Sequence, residues 1–208
     1  AQGVALGAKM TGINATIVMP ATAPLAKVTA TKGYGAEVVL NGLVYDDAYA
    51  KAVELQKETG ATFLHPFNDK YVIAGQGTIG LEILEQLDGK VDTILCPIGG
   101  GGIIAGIAVA AKGINPNIKI VGVQTANIPS MQESMKNGEV TTAFKSTTIA
   151  DGIAVKTPGD VTFEIINELV DEVVVVEEDE IAQGMLFLME NQKVVAEGAG
   201  AVTTAALL

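Results

Sequence analysis

The 208-residue sequence contains no tryptophan and no arginine, and only one cysteine and one histidine. A lone cysteine, Cys96, excludes an internal disulfide framework and fits a reducing compartment. All 13 basic residues are lysines and none forms a cluster, while 24 acids leave a formal charge of −11. A chain this acidic would be repelled by nucleic-acid phosphates, which excludes nucleic acid as a partner. Long apolar runs are missing too. The longest small-apolar stretch, residues 98–111, is glycine-rich and short of the roughly 20 residues a membrane span needs. No signal peptide is recognisable, so a soluble, cytoplasmic protein is expected. There is no internal repeat and no low-complexity linker. At 49% hydrophobic residues, the chain can bury a core as one large domain or two modest ones.

What is present centres on Ile94-Leu95-Cys96-Pro97-Ile98, then Gly99-Gly100-Gly101-Gly102, then Ile103-Ile104-Ala105-Gly106-Ile107-Ala108. The apolar, β-branched run reads as a buried strand, the glycines as a turn of unhindered backbone, and the small residues after them as a tightly packed helix. Consecutive glycines let N–H groups converge, and a helix N-terminus adds about half a positive charge, so a phosphate is the expected guest. A nucleoside-triphosphate loop would end in Gly-Lys-Ser/Thr, but the nearest lysine, Lys112, lies ten residues past Gly102. A dinucleotide fingerprint is met only loosely, by Gly100, Gly102 and Ala105, and its acidic ribose partner would fall near Gln124. A small phosphate monoester suits four bare glycines best, and pyridoxal phosphate is one. The competing reading is a tight strand-to-helix turn with no ligand.

The segment from Pro97 to Gly106 resembles the phosphate cradle of the tryptophan-synthase-β-like pyridoxal enzymes, and within them the threonine dehydratase and serine racemase family. Four further segments are similar, in the same order: Val72-Ile73-Ala74-Gly75-Gln76-Gly77-Thr78; Thr148-Ile149-Ala150-Asp151-Gly152 with Ile153-Ala154-Val155-Lys156; Glu178-Asp179-Glu180-Ile181; and Glu197-Gly198-Ala199-Gly200-Ala201. The resemblance runs through the whole chain and is nearest to the catabolic, short-form threonine dehydratases. It implies an α/β fold of two three-layer parallel-sheet domains, incomplete at both ends, with residues 1–66 in a smaller mobile domain and 67–208 in a larger pyridoxal-phosphate domain. It implies cofactor contacts from Gly99, Gly100, Gly101, Gly102, Ile103, Phe67, Gly152 and Glu197, with Asp151 nearby. Taken as carboxylates beside glycines, Asp151 and Glu197 are equally well caps or turns.

The resemblance also implies deamination of L-threonine to 2-oxobutanoate and ammonia, with L-serine as a secondary amino-acid substrate. A homodimer or homotetramer and a nucleotide or amino-acid effector are further implications. Family members place a Ser-Ala-Gly-Asn-His loop just before the segment matching Ala1-Gln2-Gly3, and further upstream the Schiff-base lysine in a Ser-Phe-Lys context. Neither occurs here, so no catalytic residue is assigned, and a central fragment of the enzyme is expected. Serine racemases hold a divalent cation through a glutamate and an aspartate where this chain has Gln124 and Ser130. That departure moves the reading from racemase to dehydratase, with no metal. A non-catalytic scaffold or another enzyme of the fold, such as a cysteine synthase, remains the alternative.

The remaining pattern alternates strands with helices, the mark of parallel sheets. Strands are expected at residues 15–20, 36–40, 61–64, 119–123 and 172–176. Helices are expected through Met10, then at 24–31, 45–59 with Asp46-Asp47 as a solvated start, 72–87, a short one through Asn137, 160–169, 178–191 and 197–208. In the helix over 72–87 the glycines at 75, 77 and 80 each sacrifice about 1 kcal/mol, which suggests close packing beside the cofactor. Ser130 and Glu133 have the spacing of a capping box. Acidic residues 177–180 read as a helix start, Cys96 as a packed thiol and His65 as a structural histidine. His65 opens the His65-Pro66-Phe67-Asn68-Asp69 crossing between the two domains.

Overall fold

The computed structural model describes residues 1–43, 45–145 and 147–208, the side chain of Asp46 excepted. The expectation for Asp46 therefore lies outside the described residues. The chain forms two compact units, Ala1–Leu64 and His65–Leu208, each an α/β arrangement with a parallel sheet.

In the first unit α1 (Gln2–Thr11), β1 (Thr16–Met19), α2 (Leu25–Gly33), β2 (Glu37–Leu40) and α3 (Tyr45–Thr59) follow one another. The strands pair in parallel, Thr16 beside Glu37 through Met19 beside Leu40. Ala5, Val28, Thr31 and Ala48, one or two from each helix, are buried. The strand expected at 61–64 does not form. The Phe63 ring turns edge-on to Tyr49 of α3, 5.6 Å between centroids, so its side chain is spent on the helix. Four residues of strand propensity do not make a strand unless a neighbouring ladder takes them up.

The second unit holds α4 (Lys70–Gln86), β3 (Thr93–Pro97), α5 (Gly102–Ile114), β4 (Lys119–Thr125), α6 (Ser130–Asn137), α7 (Asp160–Leu169), β5 (Glu172–Val176), α8 (Glu178–Phe187) and α9 (Gly198–Ala205). The sheet order is β3-β4-β5, all parallel, with Thr93 beside Lys119 and Thr125 beside Val176. Strand alternation gives the sheet two apolar faces. Ile94, Cys96 and Ile120 pack with Ile104 and Ala108 of α5 and Ile166 of α7, whereas Val123 and Val176 pack with Ile181 of α8 and Val202 of α9. Burial pushes the Cys96 thiol up to about 12, which keeps it protonated and inert.

Helix α4 begins two residues early because the Asp69 carboxylate caps it, accepting from the amides of Tyr71 (2.8 Å) and Val72 (3.1 Å). Gly77 and Gly80 pack against α5, whereas Gly75 has no atom within 4 Å of its Cβ position. A Cβ on Gly77 would lie 3.1 Å from Gly106 O, and one on Gly80 3.2 Å from Ile107 O. Close packing is present as expected, but its partner is a helix. The capping box at Ser130 is replaced by a different bond. Pro129 precedes the helix, and the Ser130 hydroxyl, inside the first turn, donates to Val155 O at 3.0 Å. The reciprocal arrangement sits instead at α8, where Glu177 N–H donates to the Glu180 carboxylate at 2.7 Å. The helix expected to run to residue 191 stops as an α-helix at Phe187 and widens into a π-turn, Leu188–Gln192. The Asn191 amide donates to Phe187 O, competing with the regular ladder. Among the described residues, no helix is long and apolar enough to cross a membrane.

Candidate functional site

The site grows from the C-terminal end of β3. Ile98 extends the ladder by donating to Val123 O (2.8 Å), and its own carbonyl accepts from the Gln124 amide (3.4 Å). Beyond it Gly100, Gly101 and Gly102 are buried and α5 starts at Gly102. Gly101 has φ 96° and ψ −4°, a conformation that side chains with a Cβ avoid. The first amides of α5 have no acceptor within the helix and sit at the positive end of its dipole. Ile103, 42% exposed, supplies one of them.

Two neighbours fix this loop. Thr162, in the first turn of α7, donates through Oγ1 to Gly100 O at 2.6 Å, and the Gly159 amide reaches the same carbonyl at 3.4 Å. Phe67 lies so close that a Cβ on Gly100 would overlap its ring, and one on Gly102 would lie 2.9 Å from Phe67 Cβ. Phe67 is carried by a turn centred on His65, whose Nδ1 accepts from the amides of Phe67 (3.3 Å) and Asn68 (2.9 Å). The two rings meet edge-on at 4.6 Å.

Gly152 and Glu197 come together elsewhere along the same loop. The 3-10 turn Asp151–Ile153 abuts Gly99, whose Cβ position is 3.1 Å from Ile153 Cα. On its other side the Glu197 Oε1 lies 3.1 Å from the Cβ position of Gly152. Glu197 is the residue at the N-terminus of α9, and Asp151 is exposed. The structure thus brings the glycine loop, Phe67, the Gly152 turn and Glu197 into one contiguous set.

Three residues to which the sequence assigns no part in the cradle hold this set in place. Thr162 carries no motif of its own. Gln124 accepts through Oε1 from the amides of Met131 (3.0 Å) and Gln132 (2.9 Å), which commits it to the start of α6. With Ser130 bonded to Val155, both positions matched to a cation site are spent on backbone. Among the described residues, no group of three ligating side chains is assembled. The third is Glu178, which the sequence offers as a helix start and as part of one family-like segment but with no role of its own. Its carboxylate accepts from the Thr125 hydroxyl (2.6 Å) and the Ile149 amide (2.8 Å), tying the end of β4 to the segment leading into the Gly152 turn.

Burial raises the Glu178 carboxyl, but hydrogen bonds from Thr125, the Ile149 amide, Thr148 and Asn127 outweigh it and hold the group below the usual glutamate value of 4.5. The stabilisation is present above that value and is lost as the pH falls through the lower folded one. Glu178→Gln places an amide donor where a carboxylate oxygen meets a donor. It is expected to lose about 1–3 kcal/mol at pH 7 in urea denaturation, with the deficit shrinking on the acid side. An unchanged midpoint at pH 7 would contradict this role.

A parallel sheet ending in a glycine turn and a helix N-terminus is an α/β unit of the kind whose free amides suit an anion. The chain belongs to the pyridoxal-phosphate dependent enzyme family, whose model matches residues 1–208. It is 57% identical over 208 residues to L-threonine ammonia-lyase of Thermotoga maritima, covering 100% of this chain and 52% of that protein. It is 53% identical over the same 208 residues to a catabolic L-threonine dehydratase of Staphylococcus aureus, covering 60% of it. The structure of maize serine racemase superposes with a TM-score of 0.93 at 41% identity, over 99% of this chain and 62% of that one. The chain therefore spans about half to three-fifths of the length of these relatives.

Proposed function

We propose that this chain is the cofactor-holding portion of an L-threonine ammonia-lyase, which converts L-threonine to 2-oxobutanoate and ammonia and takes L-serine as a second substrate. The observation that carries the reading is the 57% identity to a protein of that name over all 208 residues. The donor set of the site fits pyridoxal phosphate. A phosphate dianion needs N–H groups and positive potential with no intervening side chain, and the loop at residues 99–102 with the first turn of α5 offers both. Gly99, Gly100, Gly101, Gly102 and the Ile103 amide would hold the phosphate, with Phe67, Gly152 and Glu197 bounding the rest of the cofactor. When bound, the cofactor supplies the electron sink for deprotonation at the substrate's α-carbon. The helix dipole and buried glycine amides favour the dianionic phosphate and fix the far end of the cofactor, and Thr162 keeps the Gly100 peptide from turning.

None of the 13 lysines stands in the family's Ser-Phe-Lys context, so the base belongs to residues outside this sequence. The finer architecture goes with this reading: two three-layer domains, residues 1–66 in the mobile one, assembled in a cytoplasmic homodimer or homotetramer open to a nucleotide or amino-acid effector. Serine racemase is the second reading, favoured by the 0.93 TM-score. Gln124 and Ser130, both engaged with backbone, weigh against its cation site.

Two measurements test the proposal. The 208-residue chain is expected to bind pyridoxal 5′-phosphate at least about tenfold tighter than pyridoxal in calorimetry, reflecting the charge-assisted bonds to phosphate. A protein extended to the length of its relatives is expected to release 2-oxobutanoate from L-threonine. Equal affinity for the two vitamers would overturn the cradle, and D-serine formation without oxo acid would transfer the chain to the racemases.

A further inference from the structure

The turn at residues 65–68 is built on an acceptor that only a neutral histidine possesses. His65 Nδ1 takes two amide N–H bonds, from Phe67 and Asn68, so the ring proton must sit on Nε2. The same turn delivers the Phe67 ring, edge-on to His65, against Gly100 and Gly102. It also delivers Asn68, whose side chain accepts from the Val161 amide at 3.0 Å and donates to the Asp160 carboxylate, fastening the turn to the start of α7. Two residues along that helix turn, Thr162 holds Gly100 O. His65 thus stands behind both supports of the glycine loop, one through Phe67 and one through α7.

We propose that His65 is a positioning residue for the phosphate cradle: as a neutral imidazole it locks the 65–68 turn, and protonation of Nδ1 frees that turn and loosens the loop's grip on a phosphate ester. This rests on the cofactor reading above for the identity of the ester. A protonated Nδ1 becomes a donor facing two donors, so both amide bonds are lost together.

The charged groups facing His65 are Asp69 at the start of α4 and Asp160 at the start of α7. Burial lowers the ring's affinity for a proton and prevails over the opposing pull of these two carboxylates. The folded chain therefore resists protonation while the unfolded chain accepts it near the ordinary value of 6.5. The contribution of the turn to stability is complete above that value and declines as the pH falls toward the lower folded one.

The test compares the 208-residue chain with its His65→Asn variant, because an asparagine Oδ1 accepts N–H bonds and does not titrate. Pyridoxine 5′-phosphate is the probe, since it carries the phosphate but no aldehyde. Between pH 7.5 and 5.5 the phosphate gains a proton of its own. That effect divides out in the ratio of the two dissociation constants. The ratio is expected to move by at least about fivefold against the unsubstituted chain at pH 5.5, a lower limit for the loss of both amide bonds together. In the same comparison, amide protection factors, corrected for the intrinsic pH dependence of exchange, are expected to fall at Phe67, Asn68 and residues 100–103 at pH 5.5 only in the unsubstituted chain, while β4 amides stay protected.

A pH-independent ratio of dissociation constants, loop exchange that is equal in the two proteins, or loss of protection in β4 as well would each overturn the positioning role. If the exchange pattern appears and neither protein binds the probe at either pH, the coupling of His65 to the loop stands and the cofactor reading fails.

Discussion

Gly106→Ala is expected to destabilise the protein by about 3 kcal/mol, although alanine is the better helix former. A Cβ at this position would overlap Ile73 O and lie 2.6 Å from Gly77 N and 2.9 Å from Gln76 C, all backbone atoms of α4. No rotamer change relieves a collision with backbone, so the two helices must separate, and with them the start of α5 moves. Gly113, in the same helix, has no atom within 4 Å of its Cβ position. Gly113→Ala is therefore expected to gain about 0.5–1 kcal/mol from reduced backbone entropy alone. Urea denaturation of the two variants should move the midpoint in opposite directions. A Gly106→Ala midpoint within about 1 kcal/mol of the unsubstituted chain would mean that α4 and α5 are not in this contact.

These two glycines show what could be read from the sequence and what could not. Periodicity and β-branching located β3, β4, β5 and the helices between them, because a strand buried on both faces must be apolar along its length. The glycine loop was legible for a similar reason: four glycines between a strand and a helix leave few other conformations to consider. That Gly77 and Gly80 meet α5, rather than a cofactor, was not legible, since a glycine in a helix announces a close approach without naming the partner. Residues 61–64 were misread because strand propensity contains no information about whether a ladder is waiting. Ser130 and Glu133 match a capping box by spacing, yet the hydroxyl found Val155 O, a residue 25 positions away. The partners of Glu178 and Thr162 were not legible for the same reason. The two act through hydrogen bonds spanning tens of residues, Glu178 with Thr125 and Ile149, Thr162 with Gly100, and local sequence carries no trace of such bonds.

The second large effect concerns the site itself. Gly101→Ala is expected to weaken binding of pyridoxine 5′-phosphate at least about tenfold while leaving the chain folded. Forcing an L-residue toward φ 96° costs about 1–2 kcal/mol. The new methyl would also lie 2.8 Å from Ile166 Cδ1 and 2.9 Å from Thr162 Cβ and Oγ1. Ile166 can yield at its flexible end, but Thr162 is the side chain that holds Gly100 O, so relief of the clash is taken from the bond that orients the loop. Thr162→Val separates the two causes. It removes that bond at similar volume and leaves Gly101 unstrained, and it is expected to weaken binding by only about fivefold. Calorimetry on both variants, with circular dichroism to confirm folding, gives the comparison. If Gly101→Ala binds the ester as tightly as the unsubstituted chain, the loop is only a turn between β3 and α5, and the phosphate must be held elsewhere.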